Sequence, residues 1–342
     1  MKAGIYQGVQ EIVIQEIAYA SPAPGFVIVE TKRTGICGSD LHHYFGHWQT
    51  STTFAAGHET TGVVAEIGAG VTGVKPGDRV VIEPFIHCGQ CIYCRTGDYN
   101  HCLAGKWHFQ HYHGGFAEVM TVHASQLFVL PDNMSFEQGA LVEPLAVAYR
   151  AVNQSGATYG DRVAIIGGGT IGLLCLAVVK ATRVADVLIT VKYAQQERLA
   201  REFGADHVVQ IAETDVSNYV TDLSSGLGMD CVIETAGSGQ AFNDALAIVR
   251  PRGSVVLVAG YSGSVEVDLG PIVWKEPMIT GSLIYTYDGL RNEFQAAIDL
   301  IATGRVTVSK LVTHCFPLAQ IGQAFQTAAD KKSGAVKVQL AL

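Results

Sequence analysis

The chain is poor in charge, and the charge it has leans acidic. Only 16% of its 342 residues are Asp, Glu, Lys or Arg, and the formal net charge is −8. With 48% hydrophobic residues, this excludes a disordered chain, which combines low hydrophobicity with high charge. The missing basic excess argues against a non-specific nucleic-acid binder, which must neutralise phosphates with Lys and Arg. No run of ~18 uncharged apolar residues occurs, so no bilayer span is indicated. There is no internal repeat and no low-complexity linker. The opening Met1-Lys-Ala-Gly-Ile-Tyr-Gln-Gly8 is too polar for a signal peptide, and a cytoplasmic protein is the expectation.

Two residue types are plentiful. Gly occurs 38 times, well above the usual ~7%, which points to tight turns and close backbone approaches. Eight cysteines need a reason in a compartment that disfavours disulfides. Cys175, Cys231 and Cys315 sit in or beside apolar runs and are expected to be small core residues.

At ~150 residues per domain, the length gives a prior of about two domains. Phe26-Val-Ile-Val-Glu-Thr-Lys32, Gly62-Val-Val-Ala-Glu-Ile-Gly68 and Arg79-Val-Val-Ile-Glu83 are strand-like, and Val74-Lys-Pro-Gly-Asp78 is a turn. Short strands with Gly punctuation predict a barrel-like or sandwich domain. The rhythm changes near Ala140. A helix is expected over Glu137 to Val152, followed by buried strands near Val163, Val187, His207, Cys231 and Val255. Helices alternate with them at Ile171–Ala181, Glu197–Phe203 and Gln240–Val249. This alternation predicts an α/β, doubly wound parallel sheet. Two helices, Leu290–Thr303 and Leu318–Ala329, and a strand at Val336–Leu340 close the chain.

Three sets of residues carry chemistry. Gly167-Gly-Gly-Thr-Ile-Gly172 fits G-x-G-x-x-G between a strand and a helix. Gly167 makes the turn, Gly169 admits a pyrophosphate, and Gly172 lets helix pack on strand; Thr170 and Ile171 supply helix-start N–H groups. About 20 residues on, where an acidic side chain would hold an NAD ribose, the chain has Val191-Lys192-Tyr193. Lys192 suits a 2′-phosphate, which favours NADP over NAD. The alternative is an ordinary exposed lysine. Cys88-x-x-Cys91-x-x-Cys94-x7-Cys102 has enough thiolates for a closed tetrahedral zinc, a stabilising site with no open position. Disulfides or a nucleic-acid zinc ribbon are the rival readings, set against by compartment and by charge. Finally, Cys37-Gly-Ser-Asp-Leu-His42, Gly57-His58-Glu59 and Glu143-Pro144 contain the mixed ligands of an open, catalytic zinc. Spacing alone does not join positions so far apart.

Taken in order, Gly35-Ile-Cys-Gly-Ser-Asp-Leu-His42, Gly57-His-Glu-Thr-Thr-Gly62, the four-cysteine segment, Val142-Glu-Pro-Leu145 and Gly167–Gly172 resemble the zinc-dependent medium-chain alcohol dehydrogenases, close to the sorbitol and butanediol dehydrogenase branch. The resemblance spans nearly the whole chain. It implies a chaperonin-like β-barrel catalytic domain over 1–148, completed by 285–342, and a Rossmann domain over 149–284, with the active site in the cleft between them. It also implies two zincs per chain, one catalytic and one structural. Cys37 and His58 would be catalytic zinc ligands. Glu59 and Glu143 both match carboxylates that hold zinc or its water, and they stay unranked. Asp40 would orient the histidine ligand. The zinc would lower the pKa of an alcohol, Ser39 would take its proton, and His42 would pass that proton to solvent while hydride goes to the nicotinamide.

The substrate signals are mixed. Where sorbitol dehydrogenases carry an Arg-Tyr pair, this chain has Ile284-Tyr285, which weakens a long-polyol assignment. Trp48 is either a pocket wall or loop packing. His101, His108, His111 and His113 surround Trp107 and Phe109; a surface or interface segment is the expectation, a substrate-facing one the alternative. The expected function is oxidation of a secondary alcohol, a diol or sugar alcohol, to a ketone with NAD(P). An NADPH-dependent ketone reductase in vivo and a non-catalytic nucleotide-binding relative are the alternatives. A small-molecule substrate is expected, with no nucleic-acid or membrane partner, in a homo-oligomer, dimer or tetramer. Strands around Val255 and Ile279 are the candidate interface.

Overall fold

A computed structural model describes residues 1–49, 51–183 and 186–342. The chain divides into two units. One comprises Met1–Glu143, Thr286–Gly304 and Val308–Leu342, the other Pro144–Tyr285 and Arg305–Thr307.

In the first unit the elements run β1 (Lys2–Gly8), β2 (Glu11–Glu16), β3 (Phe26–Ile36), α1 (Gly38–Tyr44), β4 (Glu59–Ile67), β5 (Arg79–Ile82), β6 (Phe85–Ile86), α2 (Ile92–Thr96), β7 (Lys106–Trp107), β8 (Val119–His123), β9 (Leu127–Val129) and α3 (Phe136–Gly139). α4 (Val142–Ser155) leads into the second unit. There β10 (Arg162–Ile166), α5 (Thr170–Thr182), β11 (Asp186–Val191), α6 (Ala194–Glu202), β12 (His207–Gln210), α7 (Val216–Ser224), β13 (Met229–Glu234), α8 (Gly239–Ile248), β14 (Val249–Leu257), α9 (Gly270–Lys275) and β15 (Met278–Gly281) follow. The chain then returns to the first unit with β16 (Tyr287–Asp288), β17 (Arg291–Asn292), α10 (Glu293–Ala302), β18 (Val312–Pro317), α11 (Ile321–Ala329) and β19 (Lys337–Ala341).

The main sheet of the first unit has the order β18-β19-β3-β4-β5-β9, with β8 also on β3. Its long central strand, β3, alternates well enough to bury Val27 and Val29 against Val64, Val80, Ile82, Met120 and Val122. A second apolar cluster joins the β1–β2 hairpin to α11 through Ile5, Tyr6, Phe116 and Phe325. Register is what matters for function. Gly35 pairs with Glu59 and Ile36 pairs with Val338. The end of β3 and the starts of β4 and β19 therefore meet at one place.

The second unit holds a six-stranded parallel sheet of order β12-β11-β10-β13-β14-β15. The order reverses beside β10, which is where doubly wound sheets bind ligands at their carboxyl ends. Buried Ala164, Leu188, Val232 and Val255 form the sheet's core face.

The expected helix over Glu137 to Val152 is two helices, α3 and α4, with Ala140 and Leu141 between them. Ser135 caps α3 through a reciprocal bond with Gln138, which gives that short helix its own start. Cys315 is exposed, unlike Cys175 and Cys231, which corrects the expectation that all three are core residues. It lies on β18, at the end of the sheet order, where one face is open, and its sulfur accepts from Arg33 at 2.9 Å. Among the described residues, no helix is long and apolar enough to cross a membrane.

Candidate metal and nucleotide sites

The meeting of three strand ends gathers the candidate ligands. Cys37 follows β3 and opens α1, while His58 immediately precedes β4 and Glu59 begins it. One ligand atom of each lies within 4.8 Å of the others. Asp40, on the first turn of α1, accepts the Cys37 N–H at 2.8 Å, and its other oxygen faces His58 Nδ1 at 3.7 Å. That leaves Nε2 of His58 on the opposite side, 3.5 Å from Ser39 Oγ. Glu143, in the first turn of α4, is buried. It stands outside the trio of Cys37, His58 and Glu59.

The electrostatics of this place fit a cation. Burial raises Glu143 to about 7, opposed by His58 and reinforced by Glu59. Burial also lifts Asp40 above the usual carboxylate range. For His58, burial lowers the pKa, but Asp40 and Cys37 overcome it and hold the imidazole well above its ordinary value. A thiol and three carboxylates thus crowd a buried space, and a dication is the natural counter-charge.

One partner was not visible in the sequence. Lys337, the first residue of β19, places its ammonium 2.7 Å from both Glu59 oxygens and also donates to the carbonyl of Ile36 at 3.2 Å. Both members of the pair are buried, with side chains 3% and 0% exposed. Burial pulls the lysine pKa down, and Glu59 more than reverses it. A carboxylate has about four lone-pair sites, so Lys337 does not exhaust Glu59. Gly35 makes room for this carboxylate, since a Cβ there would collide with Glu59 Oε2.

Aromatic rings flank the trio. Trp107 and Phe109 lie 6.3 and 5.9 Å from the His58 ring and stack on each other at 6.0 Å. His43 meets Phe109 and Trp48 edge-on, and Trp48 stacks on His42 at 4.6 Å. The histidine-rich tract is therefore not uniformly a surface segment. His101 and His111 are exposed, His113 is half-buried and accepts from the Ala55 N–H, and His108 is buried. Burial brings His108 down to about 4.

The four cysteines after β6 converge. Their sulfurs lie within 4.8 Å of one another, with Cys91–Cys94 at 3.5 Å and Cys88–Cys94 and Cys91–Cys102 at 3.9 Å. The edge of a tetrahedron built on ~2.3 Å Zn–S bonds is about 3.8 Å. Backbone N–H groups of Cys88 and Cys91 point at the sulfurs of Cys102 and Cys88. Such donors favour thiolate, and they pull Cys91 down to about 6 through Cys94 and Leu103. The donor set fits a structural zinc.

In the second unit Gly167 has φ of +107°, the left-handed region that glycine enters without strain. Its N–H donates to Thr190 Oγ1 at 2.9 Å, and its carbonyl and that of Ile166 accept from Thr235 at 3.0 Å. A Cβ on Gly172 would strike the Gly167 carbonyl, whereas one on Gly169 would meet nothing within 4 Å. Gly172 is thus needed for packing, and Gly169 caps α5 beside open space, next to the helix-start N–H groups of Thr170 and Ile171. A dinucleotide pyrophosphate fits that cradle. β11 ends at buried Val191 and is followed by exposed Lys192. The first acidic residue beyond it, Glu197, is engaged with Arg201 at 2.8 Å. Ile284 has φ of +44°, unusual for a β-branched residue, and the Tyr285 beside it is fully buried.

Two family models match the chain: the alcohol dehydrogenase GroES-like domain over residues 23–132 and the zinc-binding dehydrogenase over residues 170–303. The chain is 31% identical to the sorbitol dehydrogenase of Bacillus subtilis (strain 168), over 99% of this chain and 97% of that one. Among solved structures it is similar to 2R,3R-butanediol dehydrogenase from Bacillus subtilis, with a TM-score of 0.87, 32% identity, and coverage of 100% and 99%. It is also similar to a zinc-binding dehydrogenase from Sinorhizobium meliloti 1021 solved with NADP bound, with a TM-score of 0.91, 30% identity, and coverage of 100% and 99%. A GroES-like unit with its cysteine-rich segment and a doubly wound nucleotide unit, matched along almost their whole length, settle the lineage. The chain belongs to the zinc-dependent medium-chain alcohol dehydrogenase family, in its sorbitol-dehydrogenase-like branch.

Proposed function

We propose that this enzyme oxidises a secondary alcohol, a diol or sugar alcohol, to a ketone in the cytoplasm, with two zincs per chain and NADP preferred over NAD. The observation that carries this reading is the trio of half-buried Cys37 with buried His58 and Glu59, and Ser39 Oγ against His58 Nε2. Residues 1–148 with 285–342 form the catalytic domain in this reading, and 149–284 the nucleotide domain.

Cys37, His58 and Glu59 hold the catalytic zinc, Asp40 orients the His58 ring, and Glu143 orients water at the metal's side. Glu59 takes the direct role because it shares the trio, while Glu143 does not. Zinc, when bound, lowers the pKa of the substrate hydroxyl, and the nicotinamide accepts the hydride. Ser39 would accept the substrate hydroxyl's proton at Oγ while releasing its own hydroxyl proton, which would pass by way of the nucleotide ribose to His42 and on toward solvent. Cys88, Cys91, Cys94 and Cys102 hold the structural zinc. Gly167, Gly169, Thr170, Ile171 and Gly172 shape the pyrophosphate site, and Lys192 pairs with the 2′-phosphate. The butanediol dehydrogenase likeness and Ile284 in place of arginine support a short diol over a long polyol.

The test supplies NAD or NADP with a pool of secondary alcohols, vicinal diols and sugar alcohols and follows nicotinamide absorbance, alongside zinc content. Turnover with about two zincs per chain is expected. Cys37→Ser should leave one zinc, an intact fold and no turnover. A fully active Cys37→Ser protein would refute the catalytic metal site.

A further inference from the structure

His42 has a second histidine behind it. Its Nδ1 lies 3.3 Å from Nδ1 of His47, with ring centroids 5.5 Å apart. Two ring nitrogens facing at that distance are joined by a hydrogen when one ring carries its proton on Nδ1 and the other keeps a lone pair there. The main chain imposes the approach. Backbone N–H groups of His47 and Trp48 both reach the His42 carbonyl, at 2.9 and 3.3 Å, so the chain folds back over the last turn of α1. Trp48 then stacks on His42, and Phe45 lies 5.9 Å from the His47 ring. His43, on the same helix, is the next titratable ring, edge-on to Trp48. His42 is half-buried and His47 is exposed. Burial, then His47, then His43 lower the His42 pKa, which keeps its ring neutral between turnovers.

We propose that His47 is the terminal proton carrier of the relay, taking the proton from His42 across the Nδ1 contact and delivering it to water. The proposal rests on the relay role given to His42 above. The step is proton transfer alone: an N–H bond breaks on His42 and one forms on His47. An N–H bond of His47 then breaks to water, and the oxidation is completed by the separate hydride transfer. A half-buried imidazole passing protons straight to solvent depends on rare water encounters. An exposed imidazole in contact with His42 gives the proton an exit to bulk water.

Two measurements test this. In the resting protein, nitrogen-15 spectra of the histidine rings should show one of this pair protonated at Nδ1. A pair in which both rings carry the proton on Nε2 would overturn the proposal. In stopped flow, a pH-indicator dye in weak buffer reports proton release after mixing with the alcohol found above. His47→Gln should slow release by about tenfold, the lower range for loss of a proton-transfer group, and added imidazole should restore it at unchanged fold and zinc content. Release at the parent rate in His47→Gln, with His42→Gln slowed, would overturn the role of His47 and leave that of His42 standing. Slowing that imidazole does not restore would make His47 structural and overturn the proposal. If neither variant is slowed, the relay reading of His42 falls and this proposal with it.

Discussion

Lys337 and Glu59 form a buried pair in which the carboxylate is also a candidate metal ligand. Their charges are removed from water and compensated chiefly by each other, with the lysine also donating to the Ile36 carbonyl. Removing one partner of such a pair typically costs about 3–5 kcal/mol, because the remaining charge is stranded. Lys337→Met should therefore lower unfolding stability by about 3 kcal/mol in urea and weaken zinc retention at the trio. The double variant Glu59→Gln/Lys337→Met should recover much of the stability but not the metal. If Lys337→Met is as stable as the parent, the pair is not the keystone the geometry describes. Lys192 makes a different kind of prediction, since it is exposed and its ammonium lies 5.9 Å over the neighbouring Tyr193 ring rather than in a buried pair. A charge-assisted bond to phosphate is worth about 1.5–3 kcal/mol. Lys192→Ala should raise KM for NADP by roughly tenfold or more and leave KM for NAD unchanged. Equal effects on both cofactors would place the lysine away from the 2′-phosphate.

Elements explain what was legible before the structure and what was not. The glycine turn at 167–172 and the four cysteines at 88–102 are local, so sequence spacing carries them. The strands that begin near Val163, Val187 and Cys231 were legible because buried parallel strands are continuous apolar runs. β1 escaped notice because its apolar residues are interleaved with Gly and Ala, and α7 because its β-branched residues mask a helix capped by Asp215. The Cys37–His58–Glu59 trio needs register. Nothing local links Cys37 to His58, or either to Lys337; the antiparallel pairings of β3 with β4 and β19 do. The cysteine segment has a comparable long-range tie. Glu83, just past β5, is buried and accepts the Tyr99 hydroxyl at 2.6 Å, and Tyr99 stacks on His87 beside Cys88 at 4.5 Å. Burial raises Glu83 from its ordinary 4.5 to about 7, with Tyr99 opposing. The folded protein then holds a proton that the unfolded chain releases. This contribution is complete below about pH 4.5 and is lost as pH rises through about 7. Its size is on the order of 3 kcal/mol at most. Glu83→Gln keeps an acceptor for Tyr99 and cannot ionise. Its stability relative to the parent should rise steadily from pH 4.5 to pH 7 and then level off in urea titrations. A constant difference across that window would mean that Glu83 is ionised throughout.

At the scale of the whole molecule the open question is how many chains associate. The parallel sheet ends at β15, which pairs with β14 on one side and has no further neighbour among the described strands. Unpaired edges invite pairing with another chain unless charge or proline guards them. β15 reads Met-Ile-Thr-Gly, with Met278 70% exposed. Just before it, α9 exposes Val273 at 68% and Trp274 at 85%. Large exposed apolar side chains stand on both sides of Lys275, Glu276 and Pro277, and β15 itself carries no charge, the composition of an interface with a polar rim. Burial of apolar surface returns about 25 cal/mol per Å², enough for a Trp and its neighbours to hold a pair of sheets together edge to edge. The protein should therefore sediment as a dimer or tetramer of the 36.4 kDa chain. Combining Met278→Lys with Trp274→Lys places only like charges on both copies of a two-fold contact, where each lysine repels those of its symmetry mate. The double variant should fall to a smaller species in analytical ultracentrifugation while keeping its circular dichroism and its zinc. The candidate metal ligands lie on other elements, so an unchanged zinc content is the control that separates dissociation from unfolding. An unchanged mass would move the interface away from β15 and α9, and the exposed Trp274 would then call for a different occupant.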